Sequence, residues 1–261
     1  MSSNNRNRFA NRVAIVTGAG SGIGQGVAKQ IALEGAKVIC ADIHEANAQA
    51  TAVAAGPLAF AQRLDITDET SWSALFDRVK VEFGRLDILV NSAGVSAGAP
   101  LIEMSLADWR RVMSINLDGA FLGTKLAIQM MKSSGGSIVH VSSASGIKAA
   151  GGAAAYSASK AALCMLTRVA AKECRDQKWA IRVNAVCPAG VKTPMWTSMP
   201  FFNEIVRQMG SEEAAYSKLA ADMGGKFAEV ADVVAAILFL CSDESRFITG
   251  TDLLVDGGYV L

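Results

Sequence analysis

The chain has 261 residues, 51% of them apolar and 19% charged, with 25 Lys+Arg against 24 Asp+Glu. This composition excludes a disordered chain, and one domain of such length buries roughly three quarters of its unfolded surface without a disulfide or metal staple. A net charge of +1 argues against a nucleic-acid partner, whose footprint is a basic excess or a clustered basic face.

Short apolar runs alternate with stretches of helical period from residue 12 nearly to the end. The run 12–17 leads into a Gly-rich turn and a helix closing at Gly35. A second run, 37–42, ends on Asp42. Trp72, Leu75, Phe76, Val79 and Phe83 then mark a helix closed by Gly84. The segments 86–90, 137–142, 180–187 and 252–255 read as further strands. Strands so continuously apolar are buried on both faces, as in a parallel sheet sandwiched by helices. The rhythm predicts a doubly wound, Rossmann-like α/β sheet with helices on both faces, whose ligands bind beyond the carboxyl ends of the strands. No Pro- or Ser-rich linker divides the chain. Residues 1–8 are expected to be a disordered polar tail and 9–261 a single domain.

One segment breaks the rhythm, about 190–226, rich in Met195, Trp196, Met199, Phe201, Phe202, Met209 and Met223. An insertion at the strand ends is expected to be a substrate lid, the alternative being a helical excursion that packs on its own core.

The five cysteines, Cys40, Cys164, Cys174, Cys187 and Cys241, are scattered and contain no Cys-x-x-Cys pair. They read as reduced, buried thiols of a cytoplasmic protein, and with histidines only at His44 and His140 no metal spacing exists. His140 lies on a strand and is expected to be a sheet histidine rather than the base of a hydrolase triad. The N-terminus lacks an apolar signal core, and the longest apolar run, from Val233 to Cys241, is too short to cross a membrane. No membrane partner is expected. A charged fraction below about a quarter favours a homo-oligomer.

After the first strand comes Thr17-Gly18-Ala19-Gly20-Ser21-Gly22-Ile23-Gly24, opening a helix. Glycines let the backbone approach a pyrophosphate, and the helix N-terminus offers free N–H groups and a positive dipole end. The spacing is Gly-x-x-x-Gly-x-Gly rather than Gly-x-Gly-x-x-Gly, so a plain tight turn is the alternative. Asp42 ends the next strand, where a carboxylate accepts from both adenosine ribose hydroxyls and repels a 2′-phosphate. The loop has no Arg or Lys, and Ile43 follows the acid. NAD is the expected cofactor.

Tyr156 and Lys160 in Tyr156-Ser-Ala-Ser-Lys160 share a helix face one turn apart. A phenol with a pKa of about 10 is a poor base at neutral pH, and a neighbouring ammonium is expected to lower that value. Alone the pair is weak evidence. Its company is Ser143 at the end of the 137–142 run, Asn91-Ser-Ala-Gly94, and Asn116 in Ser114-Ile-Asn-Leu-Asp-Gly119.

Together with the glycine loop these motifs resemble the short-chain dehydrogenase/reductase family over about residues 9–261. The resemblance implies Tyr156 as general acid/base, Lys160 lowering its pKa and holding the nicotinamide ribose, and Ser143 hydrogen-bonding the substrate oxygen. Asn116 would hold a water linking Lys160 to solvent. Gly18, Ser21, Gly22, Ile23 and Gly24 would take the pyrophosphate, Asp65 and Ile66 the adenine, and Asn91, Ala93 and Gly94 the adenosine side. The family's Pro-Gly-x-Val-x-Thr appears here as Pro188-Ala189-Gly190-Val191-Lys192-Thr193, leaving Pro188, Val191 and Thr193 for the nicotinamide. Ala189 for Gly demands a backbone that tolerates a Cβ.

Ser143, Ser145, Tyr156, Met195, Trp196 and Met199 would meet the substrate. The last strand resembles the one that commonly pairs subunits into a homotetramer, with a homodimer as the lesser assembly. The leading expectation is an NAD-dependent oxidoreductase on a bulky apolar or cyclic secondary alcohol or its ketone. The rivals are an NADPH-dependent 3-oxoacyl reductase and a non-catalytic nucleotide sensor on the same fold.

Overall fold

The computed structural model describes residues 7–221 and 225–261. Seven strands form one parallel sheet in the order β3-β2-β1-β4-β5-β6-β7. They are β1 (Val13–Thr17), β2 (Lys37–Asp42), β3 (Ala59–Arg63), β4 (Ile88–Asn91), β5 (Gly136–Val141), β6 (Ile181–Pro188) and β7 (Asp252–Val255). The expected doubly wound α/β sheet is therefore observed. β3 is the one strand without a counterpart among the expected segments, because its Ala-Phe-Ala-Gln-Arg is short, half-exposed and lies on the sheet edge.

Side chains of β1 divide by the two-residue period: Ala14 and Val16 join a core with Val27, Ile31, Val233 and Ile237, whereas Val13 and Ile15 join Trp72, Leu75, Leu89 and Ala127 on the other face. The first core lies under α1 (Gly22–Leu33) and α10 (Val230–Cys241), the second under α3 (Glu69–Phe83), α5 (Gly119–Met131) and α6 (Ala154–Asp176). Burial on both faces explains why the strand runs are continuously apolar. α3 begins where the Asp68 carboxylate accepts from Thr70 N–H at 2.9 Å and ends at Gly84 in the left-handed region.

The helix α2 (Glu45–Ala55) returns the chain to β3, and α4 (Leu106–Met113) runs through a π-helical turn, Ser114–Asp118, into α5. The excursion after β6 forms α7 (Pro194–Thr197), α8 (Pro200–Met209) and α9 (Glu212–Ala220). Met223 and Gly224 lie outside the described residues, as do residues 1–6 of the expected tail. Arg8 belongs to the fold rather than to that tail, since its guanidinium pairs with Glu34 at 2.6 Å and Glu244 at 3.3 Å. All five cysteines are free and buried. Among the described residues no helix is long and apolar enough to cross a membrane.

Candidate active site

Strand order reverses direction between β1 and β4, and the crevice at that point opens above the carboxyl ends of the strands. A cleft of about 1080 Å³ runs from there along β5 and β6. Its lining includes Gly18, Ser21, Gly22, Ile23, Gly24, Asp42, Asp65, Ile66, Ala93, Gly94, Ser143, Ser145, Tyr156, Lys160, Pro188, Val191, Thr193, Met195, Trp196 and Met199. Nearly every residue singled out in the sequence is thus brought to one cavity.

Gly18 follows β1 with φ +63°, and a Cβ there would lie 2.8 Å from Ala93 Cα. Only glycine lets the turn after β1 meet the turn after β4 so closely. Ser21 precedes α1 without a side-chain hydrogen bond to the helix, whose first turn has no acidic residue. Its first N–H groups therefore face the cleft as an anion cradle. Asp42 tightens this loop: its Oδ2 accepts from Gly20 N–H at 2.9 Å and its Oδ1 from His44 N–H at 2.9 Å. Asp65 Oδ1 accepts from the Thr67 hydroxyl at 2.7 Å and Thr67 N–H at 2.9 Å, which holds its carboxyl below the usual range. These features fit a dinucleotide: a cradle that a Cβ would fill, an open helix N-terminus, and carboxylates at two strand ends.

The other end of the cleft is built from β5 and α6. Ser143 ends the strand run in extended conformation; its Oγ accepts from Ser145 N–H at 3.1 Å and donates to Pro188 O at 3.4 Å. Lys160, one turn along α6 from Tyr156, is 3% exposed and donates from Nζ to Val141 O at 2.8 Å. Burial brings its pKa down to about 8. The Tyr156 pKa is raised, chiefly by burial, with a counteracting hydrogen bond from Ser143. The expected lowering by Lys160 is therefore not met in the free protein. Desolvation dominates, and the ammonium is anchored on Val141 with its nitrogen 5.6 Å from the Tyr156 ring centre.

Asn116 sits in the π-helical turn and is 1% exposed. Its Oδ1 accepts from Val95 N–H at 2.8 Å, and its Nδ2 donates to Val95 O at 2.9 Å and to Ser159 Oγ at 3.0 Å. Both amide hydrogens are thus spent on holding Val95 and α6, and the π turn takes the main chain here out of the regular helix ladder. Asn116 stands behind the cleft wall at Gly94, where a Cβ would lie 3.3 Å from its Oδ1 and 3.4 Å from Lys160 Nζ.

Two expected contacts need correction. The Asn91 side chain does not line the cleft; it donates to Thr124 Oγ1 at 3.3 Å and Ala120 O at 3.4 Å on α5, while Ser92 takes the lining position. Phe202, expected in the lid, is fully buried in the core of the α7–α9 excursion, its ring 4.8 Å from that of Tyr216. That excursion has its own small core of Phe202, Ala215, Tyr216, Ala220 and Phe227, and it also presents Met195, Trp196, Met199, Phe201 and Leu219 to the cleft. The segment thus packs on its own core and also lines one side of the cleft.

Ala189 is not in the left-handed region, so its Cβ is tolerated without strain. His140 is fully buried between Thr124 Oγ1 at 2.9 Å and Thr167 Oγ1 at 2.8 Å, as a sheet histidine should be. The Val141 carbonyl and Tyr259, a cleft residue near the C-terminus held by Lys148 at 2.7 Å through its main-chain oxygen, went unread in the sequence. A backbone acceptor has no side-chain signature.

The fold and cleft define a doubly wound α/β protein with a glycine-rich loop at a helix N-terminus leading to a Ser-Tyr-Lys cluster. The family model described as enoyl-(acyl carrier protein) reductase matches residues 18–260. The chain belongs to the short-chain dehydrogenase/reductase family of nicotinamide-dependent oxidoreductases. It is 42% identical to cis-4-hydroxycyclohexanecarboxylate dehydrogenase of Sinomonas cyclohexanicum, over 96% of this chain and 97% of that protein. Identity is 37% to 2,5-dichloro-2,5-cyclohexadiene-1,4-diol dehydrogenase LinX of Sphingobium indicum, covering 97% and 98%. An NADP-dependent (R)-specific alcohol dehydrogenase of Lentilactobacillus kefiri is 36% identical, covering 97% and 98%.

Proposed function

We propose that the protein is an NAD-dependent dehydrogenase interconverting a bulky apolar or cyclic secondary alcohol and its ketone. The observation that carries the cofactor choice is Asp42, whose carboxylate closes the end of β2 against Gly20 N–H at 2.9 Å. A negative charge there opposes a 2′-phosphate, and the neighbouring cleft residues Ile43 and His44 supply no guanidinium.

In this reading the glycine loop and the α1 N-terminus take the pyrophosphate, Asp65 and Ile66 flank the adenine, and Val191 and Thr193 meet the carboxamide end. Nicotinamide supplies the site with a hydride acceptor or donor when bound. Tyr156 Oη gives a proton to the carbonyl oxygen in reduction and takes it from the hydroxyl in oxidation. Ser143 Oγ donates to the same oxygen and fixes its position. Lys160, protonated below about pH 8, holds the ribose and favours the phenolate once the cleft is filled. Asn116 positions Lys160 and the loop at Val95.

The apolar lining from Met195, Trp196, Met199 and Phe201 supports a substrate with substantial hydrophobic surface, and two relatives named for cyclic alcohols agree with it. The NADP-dependent relative is an alcohol dehydrogenase and bears only on the cofactor; the competing reading, a 3-oxoacyl reductase using NADPH, is favoured by a relative named for that activity, 37% identical, from Thermotoga maritima. Exposed apolar side chains on α6, before β7 and on it, Met165, Val169, Phe247 and Leu254, support assembly into a homo-oligomer, expected as a tetramer by light scattering; the scattered free thiols are in keeping with a cytoplasmic location.

The test is turnover of a panel of cyclic, aromatic, steroid and polyol alcohols, with NAD and NADP, in both directions. NAD-linked turnover of bulky members is expected. NADP-linked turnover alone contradicts the cofactor assignment, a polyol as best substrate contradicts the apolar lid, and nucleotide binding without turnover favours a sensor.

A further inference from the structure

Cys164 of α6, Cys187 of β6 and Asp252 at the start of β7 are far apart in sequence, and the sheet edge stacks them behind the strand ends that carry Ser143 and Pro188. The two sulfurs are 3.7 Å apart. Both sulfurs and a carboxylate oxygen of Asp252 lie within 4.8 Å of one another. Ser142 Oγ is 3.2 Å from Cys164 Sγ.

The pocket is almost dry: Cys164 is 3% and Cys187 0% exposed, and the Asp252 side chain is 9% exposed. One oxygen of that carboxylate pairs with Arg168, while Oδ1 is buried with no hydrogen-bond partner among the described residues. A buried carboxylate oxygen facing two weak S–H donors is costly to leave so. The proposed reaction uses none of these groups.

We propose that Cys164, Cys187 and Asp252 form a binding site for zinc or a similar thiophilic divalent cation, with Ser142 Oγ in reach as a fourth ligand. Tetrahedral zinc with Zn–S bonds of about 2.3 Å sets its thiolate sulfurs about 3.8 Å apart, close to the spacing in the structure. A disulfide would need about 2.05 Å; the two free thiols stand instead at S–H···S distance, and the same spacing lets both sulfurs bind one ion once deprotonated. Charge also closes: two thiolates, one carboxylate, the Arg168 guanidinium and a divalent cation sum to zero. Uptake releases the two thiol protons, because the ligands are the deprotonated sulfurs. A bound ion would tie α6 to β6 and β7. It would also compete for Ser142, whose hydroxyl donates to Lys160 O at 2.9 Å.

The experiment is titration of the reduced full-length protein with Co(II) and then Zn(II). The expected result is one ion per chain, thiolate-to-cobalt charge-transfer absorption with tetrahedral visible bands, displacement by zinc, and a rise in Tm with zinc. Cys164→Ser and Cys187→Ala should each abolish the charge-transfer intensity of the pair or weaken zinc at least about tenfold. Asp252→Asn should weaken it less, with circular dichroism and NAD binding reporting that each variant is folded. Because folded Cys187→Ala is compared directly with the parent, loss of folding in one variant leaves the others decisive. Cobalt spectra without sulfur bands, zinc binding that survives both cysteine changes, or no uptake by the reduced chain would overturn the proposal.

Discussion

Lys160 donates to the Val141 carbonyl at 2.8 Å, so the ammonium that faces Tyr156 from one helical turn away is fixed by the end of β5 and not by a carboxylate. A carboxylate would quench its field; a carbonyl only orients it. Lys160→Met should therefore lower kcat/KM by about 10²–10⁴-fold, the range for a group serving proton transfer. Lys160→Arg should not restore activity, since a planar guanidinium cannot occupy the ammonium's place under Gly94. Steady-state kinetics alongside circular dichroism checks both.

Asp42→Ala should relieve repulsion of the 2′-phosphate and lose contacts to the ribose. The expected outcome is NAD KM raised about tenfold or more, NADP turnover appearing or rising, and kcat for the preferred cofactor nearly unchanged. Kinetics with both nucleotides on one alcohol reads it out. An unchanged NAD:NADP ratio would remove Asp42 from the adenosine site.

Phe202 acts on the cleft only through its neighbours, since its ring lies 6.1 Å from that of Trp196. Phe202→Ala should hollow the α7–α9 core, raise KM for a bulky alcohol several-fold, and leave the Kd for NAD almost constant. Its cost to this local module is on the order of 3 kcal/mol, seen as early proteolysis near α8. Equal loss of NAD affinity would mean that the segment shapes the whole cleft.

Burial, aided by repulsion from Lys160, depresses the pKa of His140 from 6.5 to about 3. The folded protein thus keeps a neutral imidazole where the unfolded chain binds a proton. Stability from this group is present above pH 6.5 and is lost as pH falls from 6.5 toward about 3. The loss should be about 1.5 kcal/mol between pH 6.5 and 5, before most carboxylates titrate. Denaturant unfolding at the two pH values measures it, and His140→Gln should flatten the difference while lowering stability at pH 7.

Legibility in the sequence followed the strength of the physical signal. Five strands were readable as continuous apolar runs buried on both faces, and β7, a half-exposed edge strand, by its Leu-Leu-Val run. β3 was not, because an edge strand with alanines and a Gln-Arg end carries little hydrophobic pattern. Glycine loop, Asp42 and the Tyr156/Lys160 pair stood out because their chemistry depends on local spacing. Asn91 and Phe202 were misplaced because strand alternation and helix rotation, unlike spacing, are decided by packing against α5 and α9. Cys164, Cys187 and Asp252 were invisible as a group because only the β5-β6-β7 order brings them together.

Tyr156→Phe tests the central claim most directly, since it removes one hydroxyl and little else. NAD binding, followed by fluorescence titration, should stay within about threefold of the parent, while turnover of the best alcohol falls by at least about 10²-fold. Turnover retained at parental level, with NAD binding intact, would contradict Tyr156 as the proton-transferring group and with it the proposed chemistry of this cleft.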